Sequence, residues 1–130
     1  MRILHWTENW RPVIGGIEVL LSHLTQEQSK NGHEVAVVTD LTNQSLPPSE
    51  HEGQVALHRF PFHKPLASKD LRLMKATANA VEALLKTFRP EVIHLHGFSN
   101  SLWYFLLSQN ANPHPCVVTI HTPLTQRIPF

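Results

Sequence analysis

Three short stretches of this sequence combine residue types suited to holding a polar ligand: residues 10–16, which open on Trp10 and Arg11 and close on Gly15-Gly16; His96-Gly97-Phe98-Ser99; and His121-Thr122-Pro123. The glycine pair stands directly before a run of helical spacing. Without side chains there, the unpaired N–H groups and the positive end of the helix dipole can face an anion, with phosphate or diphosphate the natural guest. A turn that serves chain geometry alone is the alternative. Two nucleotide chemistries are disfavoured. Eight residues, 7–14, separate the first strand from the glycine pair, too many for the tight turn of a dinucleotide fingerprint, and no glycine precedes a Lys-Ser or Lys-Thr pair as a triphosphate-binding loop requires.

Ten histidines are unusual for a chain of this size. His94 and His96 are two apart on a strand and so share a face, and His121 stands at another strand end. A metal site would need three or four protein ligands, and no cysteine or carboxylate lies nearby in sequence to complete one, so no metal is expected. A neutral imidazole donates from one ring nitrogen and accepts at the other, which suits sugar hydroxyls at a cleft. His96 and His121 fit that role. His94 reads as a buried residue bonded to backbone, and His5, His23, His33, His51, His58, His63 and His114 as structural or solvated. Lys64, Lys69, Arg72 and Lys75 cluster around one helix; they read as a solvated face, with an anionic acceptor or a membrane surface as the other reading. Trp103, Tyr104 and Phe105 read as core.

The elements that must position these groups follow from hydrophobic patterning. Residues 2–6 and 35–39 form short apolar runs, the second β-branched like a strand buried on both faces. Between them Ile17, Leu20, Leu21 and Leu24 recur at helical spacing, and Asn31-Gly32 supplies a left-handed stop. Residues 40–53 carry Pro47-Pro48 and read as an exposed, mobile loop before a third strand at 55–60, ended by Pro61. Leu71, Met74, Ala78, Val81, Leu85 and Phe88 mark a second helix, stopped before Pro90. A fourth strand at 92–96, a short helix at 100–108 and a fifth strand at 116–120 complete the pattern. Alternation of this kind predicts an α/β fold, a Rossmann-like, doubly wound parallel sheet of order 3-2-1-4-5 with helices on both faces. Ligands bind such sheets beyond the carboxyl ends of the strands at the switch point, here between the first and fourth strands, where the three stretches converge.

Composition agrees with a globular domain. The 130 residues are 42% hydrophobic and 16% charged, with a formal net charge of +1, which offers no electrostatic footprint for nucleic acid. The longest fully apolar run, residues 102–107, is too short to span a bilayer. Met1-Arg2-Ile3-Leu4-His5 turns polar too soon for a secretory signal, so a cytoplasmic location is expected, at most peripheral at a membrane. The single cysteine, Cys116, forms no internal disulfide and is expected to be a buried thiol.

Four segments together resemble the retaining glycosyltransferases of family 4: Pro12-Val13-Ile14-Gly15-Gly16-Ile17-Glu18 with Asn31-Gly32-His33-Glu34-Val35; His58-Arg59-Phe60-Pro61; Arg89-Pro90-Glu91-Val92-Ile93-His94-Leu95-His96-Gly97; and Val117-Val118-Thr119-Ile120-His121-Thr122. They occur in the family's order over nearly the whole chain. The resemblance implies a GT-B fold of two facing Rossmann-like domains, with residues 1–130 a single, truncated, acceptor-side amino-terminal domain and the carboxyl-terminal donor-binding domain missing. It implies sugar transfer, of hexosyltransferase type, from a nucleoside diphosphate sugar to an acceptor with retention, without metal, by a parent enzyme in carbohydrate biosynthesis. This segment alone would be inactive and would hold no catalytic residue. Carried over by motif, Gly15, Gly16 and His121 would meet the donor phosphate and sugar, Trp10, Arg11, His96 and Gly97 would lie near the acceptor, and Glu18 matches without a defined role. Two rivals remain open from the residues: a non-catalytic sugar- or phosphate-binding module, or one subunit of a split enzyme. A flavodoxin-like regulatory domain would need an acidic pocket after the first strand, for which Glu8 alone is a poor candidate.

Overall fold

A computed structural model describes residues 1–12, 15–111 and 113–121. Along the chain these form β1 (Arg2–Thr7), α1 (Gly16–Lys30), β2 (Glu34–Asp40), β3 (Ser49–Glu52), β4 (Val55–Phe60), α2 (His63–Ser68), α3 (Leu71–Phe88), β5 (Val92–His96), α4 (Leu102–Ala111) and β6 (Cys116–Thr119). The sheet order is β3-β4-β2-β1-β5-β6, parallel throughout except at β3. The five strands expected from sequence therefore lie in the expected relative order, with one antiparallel strand added at the edge.

Alternation along the strands divides the sheet into two apolar layers. Leu4, Trp6, Ala36, Val38, Ile93 and Leu95 pack with Val81 and Leu85 of α3, Tyr104 and Phe105 of α4, and Phe62. On the opposite face Val35, Val37, Val55 and Leu57 pack with Leu21 of α1 and with Trp10. The helix stops are those the sequence indicates. Gly32 takes a φ of +89° after α1, and Arg89, at φ +50° ahead of Pro90, donates its N–H to Leu85 O to close α3. Asp70 caps the start of α3 by accepting from Leu73 N at 3.1 Å.

Several expectations change. Residues 40–53 are not wholly loop: Ser49–Glu52 pairs with β4, anchored by the buried Arg59, whose Nη1 reaches Glu50 at 2.7 Å and donates to Pro47 O at 2.9 Å. Asp40 ends β2 as a buried carboxylate that accepts from Phe62 N at 2.8 Å and starts the turn into α2. Cys116 is exposed on β6 rather than buried, because in the described residues β6 is an edge strand. Tyr104 and Phe105 are core, but Trp103 is 41% exposed, since three consecutive helical positions cannot all face one sheet. No helix among the described residues is long and apolar enough to cross a membrane.

Candidate functional site

β1 and β5 are neighbours at the point where the chain reverses its direction of winding, and their register pairs His5 with His94 and Thr7 with His96. β6 continues the row, pairing His96 with Thr119. The period of two that sends Leu4, Trp6, Ile93 and Leu95 into the apolar layer sends His5, His94 and His96 to the other face. They meet there. His5 Nδ1 lies 2.9 Å from His96 Nε2, and His96 Nδ1 lies 3.1 Å from His121 Nε2. The rings meet edge to edge with planes 28° and 22° apart, the His5 and His96 centroids 5.2 Å and the His96 and His121 centroids 5.4 Å from one another. At the inner end His5 Nε2 lies 2.7 Å from Gln28 Oε1 of α1.

Burial favours the neutral form of His5, His94 and His96. His5 is fully buried, and desolvation of the imidazolium lowers its pKa to about 4 against the opposing effect of the Gln28 hydrogen bond, with the neighbouring His94 lowering it further. His96, 8% exposed, is lowered to about 3, first by burial and then by His94, His5 and His121. His94 is also lowered, by burial and then by His121. It is half-buried and bonds the Thr119 hydroxyl at 2.6 Å, a side-chain partner where a backbone one was expected. One ring nitrogen from each of His5, His94 and His96 lies within 4.8 Å of the other two. A shared ion would hold two tetrahedral nitrogen ligands about 3.3 Å apart, given bond lengths near 2.0–2.1 Å. The 2.9 Å between His5 and His96 is instead a hydrogen-bond distance.

Around His96 the carboxyl edge narrows to a crevice lined by Trp6, Glu8, His96, Gly97, Ser99 and Ser101, of about 10 Å³. That is room for at most one water molecule. Its wall is tied by hydrogen bonds: Trp6 Nε1 donates to Ser101 Oγ at 2.9 Å, and Ser99 Oγ is 2.7 Å from the same oxygen. Gly97 turns the chain away at φ +80° while its N–H donates to Thr119 O at 2.9 Å, a backbone position that favours glycine. The crevice is too small by itself to enclose a sugar.

The glycine pair divides its work. Gly15 is the extended residue before α1, and a Cβ there would stand 2.5 Å from the Glu18 carboxylate, which folds back over the helix start. Gly16 is the first helical residue, and a Cβ there would meet nothing within 4 Å. Among the described residues, then, the space at Gly16 is open. Val13 and Ile14 of the same motif, and Thr122 and Pro123 of the last one, fall outside the described residues.

Trp10 and Arg11 part company. Trp10 is 4% exposed, packed in the α1-side layer with its Nε1 donating to Glu52 Oε1 at 3.0 Å, so its ring is core and not open to an acceptor. Arg11 is exposed, bonded to Ser22 Oγ and 3.7 Å from Glu52. Two members of the histidine group were not singled out by sequence reasoning, His5 and Gln28. Gln28 did leave a trace, because it continues the buried stripe of Leu21 and Thr25 as a polar residue on an inward face.

A family model described as Glycosyltransferase Family 4 matches residues 14–129. Among solved structures, sucrose-phosphate synthase from Thermosynechococcus elongatus superposes with a TM-score of 0.66 at 16% identity, covering 94% of this chain and 33% of that one. A shorter form of the same protein, described by residues 27–220 and 406–426, gives 0.66 at 17% identity, covering 98% of this chain and 67% of that one. The chain thus spans about a third of the length of the longer structure. No curated protein matches it.

Proposed function

The chain belongs to glycosyltransferase family 4, and on that premise we propose that it is the amino-terminal, acceptor-side half of a GT-B enzyme that moves a sugar, of hexose type, from a nucleoside diphosphate sugar to an acceptor with retention. The observation that supports this reading is the convergence, at one carboxyl edge of the sheet, of the Gly97 turn and the His96–His121 pair beside a small crevice. Such a surface is completed by an opposing domain.

In this reading the open space at Gly16 admits the donor diphosphate to the N–H groups of α1, whose fixed dipoles stabilise charge on the departing group and make a divalent ion unnecessary. The Glu18 carboxylate over Gly15 is a like charge at the same helix start, so the phosphate sits toward Gly16 and not over Gly15. His121 meets the transferred sugar, and His96, Gly97 and Arg11 border the acceptor. Trp10 acts one step back, through Glu52, which also faces Arg11. The exposed Lys64, Lys69, Arg72 and Lys75, beside a Leu71 that is also exposed, suit peripheral contact with an anionic membrane surface in the cytoplasm.

Release of nucleoside diphosphate by the full-length protein, measured over a panel of nucleotide sugars with EDTA present, tests the proposal. Turnover that falls at least tenfold in His121→Ala is the expected result, at the cost of about one ligand hydrogen bond. A full-length protein that binds a sugar or a phosphorylated ligand and releases no diphosphate would instead establish a binding module.

A further inference from the structure

Gln28 is about as far along α1 from the glycine pair as that helix allows, yet it terminates a row of contacts that ends at the cleft: Gln28, His5, His96, His121. The tautomers in this row are not independent. A carbonyl oxygen only accepts, so His5 Nε2 carries a proton and donates to Gln28 Oε1. Neutral His5 then has a bare Nδ1, which accepts from His96 Nε2–H; His96 in turn has a bare Nδ1, which accepts from His121 Nε2–H. Each link fixes the next. His121 is left with Nδ1 as its remaining nitrogen, an acceptor.

We propose that Gln28 and His5 are positioning residues: through a directional column of hydrogen-bonded imidazoles they set which ring nitrogen of His121 carries its proton, and so whether the cleft offers an acceptor or a donor to a ligand hydroxyl. The consequence for sugar binding rests on the glycosyltransferase reading above; the column itself does not. A side chain at position 28 that only accepts keeps the column as it stands. One that only donates reverses it: His5 Nδ1–H then donates to His96 Nε2, His96 Nδ1–H donates to His121 Nε2, and His121 turns its Nδ1 into a donor. His94 and Glu8 border the column, His94 by ring contact with both His5 and His96 and Glu8 in the crevice beside His96. Neither occupies a nitrogen of the column in the observed hydrogen bonds.

The test is carried out on the full-length protein labelled with ¹⁵N-histidine, comparing wild type, Gln28→Glu and Gln28→Lys at a pH near 7.5. Long-range ¹H–¹⁵N spectra are expected to show His96 as the Nε2–H tautomer in wild type and in Gln28→Glu, and as the Nδ1–H tautomer in Gln28→Lys. The same His96 tautomer in two folded variants of opposite hydrogen-bonding sense overturns the proposal. Should Gln28→Lys fail to fold, the wild type still decides: scalar coupling across the His96 Nε2–H to His5 Nδ1 bond is expected, and its absence, or one equivalent of zinc held by these histidines, overturns the column. Turnover separates the two claims. Tautomers that switch in a protein without glycosyl transfer leave the column standing and remove the functional reading; transfer that is unchanged in a switched Gln28→Lys protein removes the link to ligand binding, where a fall of about tenfold is expected.

Discussion

Alternate residues of the same two strands do opposite work. Leu4, Trp6, Ile93 and Leu95 enter a dry layer closed by α3 and α4, while His5, His94 and His96, interleaved with them, build a polar column on the other face. The first face is held by area and shape, with no direction to it. The second is held by a few hydrogen bonds whose direction matters, and its burial keeps charge out. The comparison teaches how one pair of strands can fix a frame and aim chemical groups at once: the apolar set makes the register stiff, and the register puts the imidazoles 2.9 and 3.1 Å apart.

The two faces should fail differently. Trp6→Ala removes a large ring stacked on Phe62 and edge-on to Phe105, and frees Ser101 as well; calorimetry should show a loss of about 3–5 kcal/mol, insensitive to pH. The histidine face should respond to acid. His5 and His96 have pKa values near 4 and 3 in the fold against 6.5 in the unfolded chain, so the unfolded chain takes up protons first as pH falls. Their contribution is complete above about pH 6.5 and is lost progressively toward pH 3–4. Denaturant titrations should therefore show a protein less stable at pH 5 than at pH 7, by about 2 kcal/mol or more for the coupled pair together. A protein equally stable at both values would show that the column is not buried and neutral. Gly97→Ala, at the rim of both faces, should cost about 1 kcal/mol from the left-handed backbone alone, since a Cβ there meets nothing within 4 Å; urea unfolding measures it.

Much of the frame was legible because parallel strands and their helices announce themselves by apolar runs and helical spacing. β2, α1, α3 and β5 fall where Val35, Leu21, Val81 and Ile93 place them. Two elements were not legible. β3 is polar at every position and follows Pro47-Pro48, so only its pairing with β4 reveals it, and α2 is six residues long with Pro65 inside it. The site divides similarly. His96, Gly97, Gly15 and Gly16 stand at element ends and can be found by pattern, whereas the contacts His5–His96 and His5–Gln28 join residues 91 and 23 positions apart and have no local signature. Trp10 misleads for a related reason: an aromatic ring in a polar loop looks like a ligand contact until packing shows it inside the core.

Substitution of Gly16 by valine in the full-length protein, followed by nucleotide-sugar turnover and a melting curve, tests the central claim most directly. Among the described residues a Cβ at Gly16 meets nothing within 4 Å, so the fold should tolerate the change to within about 1 kcal/mol, the usual helix-propensity difference. Turnover should fall by about a hundredfold or more if the donor diphosphate occupies that space, the scale on which loss of an oxyanion contact is felt. Wild-type turnover in a stably folded Gly16→Val protein would contradict the account.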